Sequence, residues 1–257
     1  MKHASKAWIK RQKLKDLIIL ALLFILGIFI VLIFKPGYLA NILIVYLPGL
    51  VYTLTRLKRS TKKILIFGLL SILFIVPVEI LARLTDSWDV ASDFPRVLDI
   101  APLENMLYGV INIIYPLAFY EYFFDNDRNR NISPRYKYLV GIYLILFVTT
   151  FIVYFIDPIL LKLDYWLLGL LILSPIFILL LIFKAHIIKR LVLPAVFFGL
   201  MYLIHEAVSM YLGHWWWPGS YILPITVSDH IYPLEDLIIW IVFSNIAVIS
   251  GYEVLWD

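Results

Sequence analysis

The sequence predicts an all-α fold, a polytopic membrane helical bundle with about eight transmembrane helices in two parallel four-helix repeats. Apolar residues make up 63% of the 257 positions, whereas soluble domains contain roughly 45–50%. They fall in unbroken runs of about the 20 residues that a helix needs to cross a bilayer. Such runs are too long for barrel strands, and a helix satisfies its own backbone hydrogen bonds within lipid.

Eight apolar runs are the predicted spans. They lie near residues 16 to 34, 38 to 55, 64 to 84, 102 to 124, 138 to 156, 165 to 183, 191 to 212 and 233 to 255. Eighteen of the 22 Lys and Arg residues fall on one side of these spans, in the amino-terminal tail and in segments 56 to 63, 128 to 137 and 184 to 190. The positive-inside rule therefore predicts a multi-pass protein of the plasma membrane with both termini cytoplasmic. This distribution accounts for the basic charge without a nucleic-acid partner.

The chain also repeats itself, which predicts two related membrane units, residues 1–133 and 134–257. An offset of 127 carries Pro48, Lys63, Glu79 and Trp88 to Pro175, Arg190, Glu206 and Trp215. Offsets of 131 and 132 carry Pro102-Leu103-Glu104-Asn105 to Pro233-Leu234-Glu235-Asp236, and Tyr120-Glu121 to Tyr252-Glu253. Because each half holds four spans, an even number, both halves are predicted to enter the membrane in the same direction.

Four glutamates occupy matching places in the two halves. Glu79 and Glu206 lie one to two turns inside the outer ends of their spans, and Glu104 and Glu235 lie in the first turns of the next spans. A carboxylate within a span costs free energy unless it is paired or functional. Glu79 has Arg83 four residues on, whereas Glu206 has no basic neighbour in sequence. We therefore expect the second half to carry more of the chemistry.

The two proline-containing motifs resemble a known family. Pro102-Leu103-Glu104-Asn105 and Pro233-Leu234-Glu235-Asp236 each follow a Trp-containing loop and a span ending in Glu. This pattern resembles the Pro-x-Glu-Glu motifs of the lycopene cyclase domain of heterodimeric and fused-type carotenoid cyclases. In that family two related small membrane units together form the enzyme, and this chain is similar to the one-chain form over about residues 40 to 125 and 165 to 257. Asn105 and Asp236 replace the second acid, and spans 1 and 5 extend the three-helix unit.

The resemblance implies an enzyme of carotenoid biosynthesis, an intramolecular lyase or isomerase that closes a ring at the end of an acyclic polyene. This reaction needs a proton donor, a proton acceptor and aromatic faces that stabilise a carbocation. The predicted catalytic residues are Glu79, Glu104, Glu206, Glu235 and Asp236. The predicted substrate contacts are Trp88, Tyr108, His205, Trp215, Trp216, Trp217 and Trp240. The implied partners are an apolar isoprenoid substrate, the lipid bilayer and other membrane enzymes of the same pathway.

Motifs for cofactors are missing from the sequence. The 11 glycines never occur as Gly-x-Gly, and there is no cysteine, so dinucleotide fingerprints, phosphate loops and thiolate metal sites are not expected. His205, His214 and His230 gather near one predicted face, but their spacing matches no common metal-ligand pattern. The expected reaction therefore uses no cofactor and no metal.

Two alternatives remain open from the sequence. Asp86, Asp89 and Asp93 have the spacing Asp-x-x-Asp-x-x-x-Asp, which would suit Mg²⁺ and a diphosphate in a membrane prenyltransferase. A solvated acidic loop is the competing interpretation of the same residues. Duplicated helical membrane proteins are also often transporters, so a non-enzymatic carrier or binding protein for an apolar isoprenoid is the second alternative.

Overall fold

The computed structural model describes residues 2–127, 131–227 and 229–257, with side chains described from residue 10 onward except that of Val227. Arg128 and Arg130, which contribute to the predicted charge asymmetry, lie outside the described residues. The side chains of Lys2 and Lys6, which contribute to the same asymmetry, also lie outside the described part.

Helices account for most of the described chain. They are α1 (Lys2–Phe34), α2 (Tyr38–Arg56), α3 (Thr61–Leu70), α4 (Ile72–Leu84), α5 (Leu103–Tyr120), α6 (Tyr136–Ile156), α7 (Tyr165–Lys184), α8 (Ile188–Tyr211), α9 (Leu234–Asp236) and α10 (Ser244–Gly251). The π-helical stretch Leu237–Phe243 joins α9 to α10, and π-helical turns at Glu121–Asp125 and Tyr252–Trp256 extend α5 and α10. Short 3₁₀ turns occupy Pro158–Leu161 and Ala185–Ile187.

Six helical segments of the described ranges are long and apolar enough to cross a membrane. They are Lys10–Phe34, Tyr38–Arg56, Thr61–Leu84, Tyr136–Ile156, Tyr165–Tyr211 and Leu234–Trp256. The prediction of a helical membrane protein therefore agrees with the structure.

These six segments do not by themselves confirm the predicted eight spans, although helices occupy all eight predicted places. Helix α5 is not among the six, because Glu104, Asn105 and Asn112 lower its mean hydropathy. The sixth and seventh predicted spans fall within the single 47-residue segment Tyr165–Tyr211. At Lys184 the backbone leaves the helical region, with φ −141° and ψ 34°, and the turn Ala185–Ile187 separates α7 from α8.

The two Trp-containing loops pair with each other at one end of the bundle. Strand β1 (Asp89–Val90) lies in the loop between α4 and α5, and it pairs antiparallel with β4 (Trp215–Trp216) in the loop between α8 and α9. Short hairpins continue both loops: β2 (Arg96–Val97) pairs with β3 (Ala101–Pro102), and β5 (Pro224–Val227) pairs with β6 (His230–Pro233). The loops of the two halves thus form one cap.

Buried ion pairs join the two halves at the opposite end. The Lys63 ammonium is 3.2 Å from Glu121 Oε1 and also contacts the Asp257 carboxylate. The Tyr252 hydroxyl donates to the same glutamate. In the second half, Lys184 Nζ lies 2.8 Å from Glu253 Oε2. Breaking a buried pair such as that of Lys63 leaves an uncompensated charge, which typically costs about 3–5 kcal/mol.

Candidate functional site

A cavity of about 150 Å³ lies beneath the cap, between helices of both halves. Its wall is mostly apolar and aromatic, but it contains five side chains with carboxyl or amide groups: Glu79, Asn105, Asn112, Glu206 and Asp236. Asn112 is partly buried and the other four are buried. An apolar cavity with a few convergent polar groups is the usual form of a small-molecule site.

Glu206 and Asp236 form the acidic pair of this cavity. Glu206 lies near the end of α8, and Asp236 is the last residue of the short helix α9 after Pro233. Both carboxyl groups line this cavity, close enough to each other to interact electrostatically. Two neighbouring buried carboxyl groups favour sharing one proton, because like charges at this distance repel.

Tyrosine hydroxyls hold this pair in place. Tyr165, the first residue of α7, donates to Asp236 Oδ1, and the Tyr232 hydroxyl lies 3.4 Å from Glu206 Oε2. Among the described residues, no Lys or Arg forms an ion pair with either acid. The pair is therefore stabilised by neutral donors and not by a cation.

Glu79 occupies the matching place in the first half with different partners. Asn105 Nδ2 donates to Glu79 Oε1 over 2.6 Å, and Arg83 Nη2 is 3.8 Å from Glu79 Oε2. The Tyr38 hydroxyl donates to Asn105 Oδ1 over 2.8 Å. The first half thus sets one carboxylate beside an amide and an arginine, where the second half sets two carboxyl groups together.

Glu104 and Glu235 point to the loops. Glu104 accepts hydrogen bonds from Ser92 Oγ and from the backbone N–H groups of Asp93 and Phe94. Glu235 accepts from the backbone N–H groups of Ile222 and Leu223, at 2.6 and 3.1 Å. The structure therefore does not bring these two predicted catalytic glutamates into the wall of the cavity, and each one fixes a loop of its own half.

Tryptophans surround the polar end of the cavity. Trp88, Trp215 and Trp240 line it together with Tyr108. The rings of Trp88 and Trp215 stack at 6.5 Å, and Trp240 contacts Trp88 edge to face at 5.2 Å. Faces of this kind can stabilise a cation within about 6 Å of the ring centre.

The remaining predicted contact residues lie behind this wall or outside it. Trp217 is buried and packs on Tyr232, with ring centroids 5.0 Å apart. Trp216 is 38% exposed on the cap. The His205 ring is buried against the ring of Tyr108 at 5.5 Å, and its Nε2 lies 3.4 Å from Ser209 Oγ.

One of the three aspartates in the prenyltransferase hypothesis, Asp89, forms ion pairs with arginines. Asp89 contacts the guanidinium of Arg83, and its Oδ1 lies 3.2 Å from Arg96 Nη2. Two arginines thus occupy the carboxylate that would hold Mg²⁺ in that hypothesis. In the part of the chain that the structure describes, no three His, Cys, Asp or Glu residues are grouped so that they could hold a metal ion.

The tyrosines that hold the site are not among the residues predicted from the sequence. Tyr38 and Tyr165 are separated by 127 residues, the offset of the repeat. They make matching contacts, with Asn105 in the first half and with Asp236 in the second. Extending the repeat alignment to the starts of these two helices would have found both. Tyr202 and Asn112, which also line the cavity, have no such signal because their counterparts differ.

Comparison with models of known families finds no match, and neither curated proteins nor solved structures yield one. The class of the protein therefore follows from its own structure. The fold and the cavity define a helical membrane protein with a buried acidic pair in an aromatic, largely apolar site.

Proposed function

We propose that this chain is a carotenoid cyclase of the membrane, which converts the acyclic end group of a polyene to a ring by acid and base catalysis. The observation that carries the proposal is the proximity of Glu206 and Asp236 in a Trp-lined apolar cavity, without a basic partner among the described residues. An acidic pair that retains a proton is a donor, and an apolar wall suits a hydrocarbon.

The reaction divides among groups that meet at the cavity. The protonated acid of the pair gives its proton to a carbon of the terminal double bond, forming a C–H bond and a tertiary carbocation. The next double bond attacks this cation, forming the ring C–C bond and moving the positive charge into the ring. A carboxylate then removes a ring proton, which restores a double bond. One proton enters and one leaves, so the substrate and product are isomers.

Aromatic and anionic groups stabilise the cation in this proposal. Trp88, Trp215 and Trp240 present ring faces or edges to the cavity. Glu79 lies on the same wall, where it accepts a hydrogen bond from the Asn105 amide and lies 3.8 Å from the Arg83 guanidinium. We assign proton transfer to Glu206 and Asp236, and electrostatic stabilisation of the cation to Glu79. Glu104 and Glu235 act as positioning residues in this scheme, because their carboxylates bind loop amides.

The proposal includes eight spans in two parallel four-helix units, with both termini cytoplasmic and the cap on the other side. Two features support this arrangement. Helices occupy all eight predicted places, and the loops carrying Trp88 and Trp215 pair directly. Matching contacts of Tyr38 and Tyr165, and of Glu104 and Glu235, support the internal repeat.

An isotope experiment tests the proposed reaction. The purified protein in lipid nanodiscs is given lycopene without flavin, nicotinamide or divalent metal, in light water and in heavy water. We expect a cyclic product of the same mass in light water and one deuterium in each new ring in heavy water. Addition of EDTA should leave the rate unchanged. Metal dependence together with consumption of a prenyl diphosphate would support the transferase instead, and specific binding without conversion would support a carrier.

A further inference from the structure

A second cavity of about 260 Å³ adjoins the acidic cavity on the side away from the cap. Phe74, Ile113, Leu173 and Val248 line both cavities. Among the residues of the second wall, which all lie in the described part of the chain, Tyr143 is the one with a polar side chain. The two cavities therefore share a wall of four apolar side chains, with the polar cavity under the cap and the apolar cavity on the other side of that wall.

This second cavity lies between α6 and α7 at the lipid-facing surface of the bundle. Helix α6 packs against α4, whereas α7 packs against α10. On its rim, Ile142 of α6 is 52% exposed and Leu171 of α7 is 55% exposed. Because these helices have the length and composition of membrane spans, their exposed apolar side chains face lipid tails. The cavity thus has an opening toward the bilayer.

In the first half, the helix that corresponds to α6 is α1, and it packs closely on its neighbour. Helix α1 packs against α2, and a Cβ atom on Gly27 would lie 2.9 Å from the Ile44 carbonyl oxygen and 3.0 Å from Val45 Cα. On α6, the counterpart of α1 in the proposed repeat, a Cβ atom on Gly141 would meet nothing within 4 Å. At Gly27, α1 therefore packs closely on α2, whereas α6 and α7 together line the second cavity, in the half that carries the acidic pair.

We propose that the second cavity is a lateral channel that binds an extended isoprenoid hydrocarbon and admits its end from the bilayer, between α6 and α7, to Glu206 and Asp236. The identity of the occupant rests on the proposed function, while the channel itself rests on the wall that the two cavities share and on the exposed rim between α6 and α7. Since one opening leads to one acidic pair, a linear molecule with two reactive ends must leave and re-enter before its second end can react.

Photolabelling tests the channel without requiring turnover. The protein in nanodiscs is irradiated with diazirine-bearing geranylgeraniol, and labelled peptides are identified by mass spectrometry. We expect labelling to concentrate on the inner faces of α6 and α7 and on α10, and to fall when unlabelled lycopene competes. Ile176→Trp and Leu146→Trp, which fill the cavity from two helices, should each reduce it about tenfold, because overpacking opposes binding.

Matched controls separate filling of the channel from general damage. Ile178 and Ile145 lie on the same two helices but face away from the cavity, and their side chains are 51% and 69% exposed. Ile178→Trp and Ile145→Trp should therefore be labelled to the same extent as the wild type. Even labelling around all lipid-facing helices, or equal labelling of the filled and control variants, would overturn the channel. Glu206→Gln should still be labelled. Labelling without any cyclisation of lycopene would reject the proposed function and leave the channel in place.

Discussion

The side-chain amide of Asn105 donates a 2.6 Å hydrogen bond to Glu79 at the place where the second half sets Asp236 beside Glu206. Two differences therefore distinguish the halves: an amide stands in the place of an acid, and Arg83 lies beside Glu79 where Glu206 has no basic partner among the described residues. An amide cannot give up its proton at neutral pH, whereas two carboxyl groups can share and transfer one. Proton transfer is consequently expected in one half only.

The first prediction concerns the acidic pair. Glu206→Gln and Asp236→Asn should each lower the rate of cyclisation by about 100-fold or more, because general acid catalysis contributes at least that much. Glu79→Gln should lower it less, since this residue acts on charge and transfers no proton in the proposed scheme. The measurement is the initial rate per folded molecule in nanodiscs. Glu253→Gln, at the far end of the bundle, is the control, and an equal loss in Glu79→Gln would indicate a site shared by both halves.

The second prediction separates the loop glutamates from the chemistry. Glu104→Gln and Glu235→Gln should each destabilise the protein by about 1–3 kcal/mol, because charge-assisted hydrogen bonds to the backbone amides of the loops are weakened. Thermal unfolding in nanodiscs measures this loss. Turnover per folded molecule should change little. Complete loss of turnover in a fully folded Glu235→Gln protein would place that carboxyl group in the reaction after all.

The third prediction uses Asp127, which lies outside the membrane-spanning helices. Burial raises the pKa of this carboxyl, but hydrogen bonds from the Ser60 hydroxyl and from the backbone N–H groups of Lys58, Arg59 and Ser60 outweigh burial and hold it below the ordinary value of 3.8. A lowered pKa contributes stability that is fully present above 3.8 and is lost as the pH falls through the folded-state value. Asp127→Asn should therefore be less stable than the wild type at pH 7.

Unfolding of both proteins across pH tests this assignment. The difference in unfolding free energy should be constant near neutrality and shrink below pH 3.8. Asp99→Asn, at another surface turn with a left-handed backbone, serves as the control. A difference that grows on acidification would contradict the assignment.

The fourth prediction concerns topology. The chain contains no cysteine, so single cysteines can be labelled without background. Phe94→Cys and Leu223→Cys, at exposed positions in the two loops of the cap, should react in intact cells with a membrane-impermeant maleimide. Lys137→Cys, at an exposed position in the first turn of α6, should react only after the cells are opened. Labelling of one cap loop but not the other would exclude the parallel repeat.

The sequence predicts the helices well because their apolar runs and internal repeat are strong signals. It does not predict which of the two polar residues in each proline-containing motif faces the cavity. Consecutive residues of a helix point about 100° apart, so only one of two neighbours can face a given direction. The motif draws attention to Glu104 and Glu235, but the cavity receives Asn105 and Asp236. The loops that capture the two glutamates are irregular, and no periodic pattern marks their amides.

Contacts between distant segments are the other part that the sequence could not supply. Tyr232 approaches Glu206, and the Tyr165 hydroxyl approaches Asp236, through packing of separate helices and loops. The arginine partners of Asp89 likewise become evident only when the hairpin after β1 brings Arg96 back. By contrast, the division of Tyr165–Tyr211 into α7 and α8 at the backbone turn of Lys184 agrees with the separate spans predicted at 165 to 183 and 191 to 212.

The clustering of Trp88, Trp215 and Trp240 around the acidic pair has an optical consequence. Indole emission overlaps the absorption of conjugated polyenes, and energy transfer between them is efficient at contact distance. A polyene seated in the cavity should therefore quench the emission of these three side chains together. Trp256 lies at the far end of the bundle against Phe67 and should be quenched less. Fluorescence of the unmodified protein can accordingly report in real time when the cavity fills and empties.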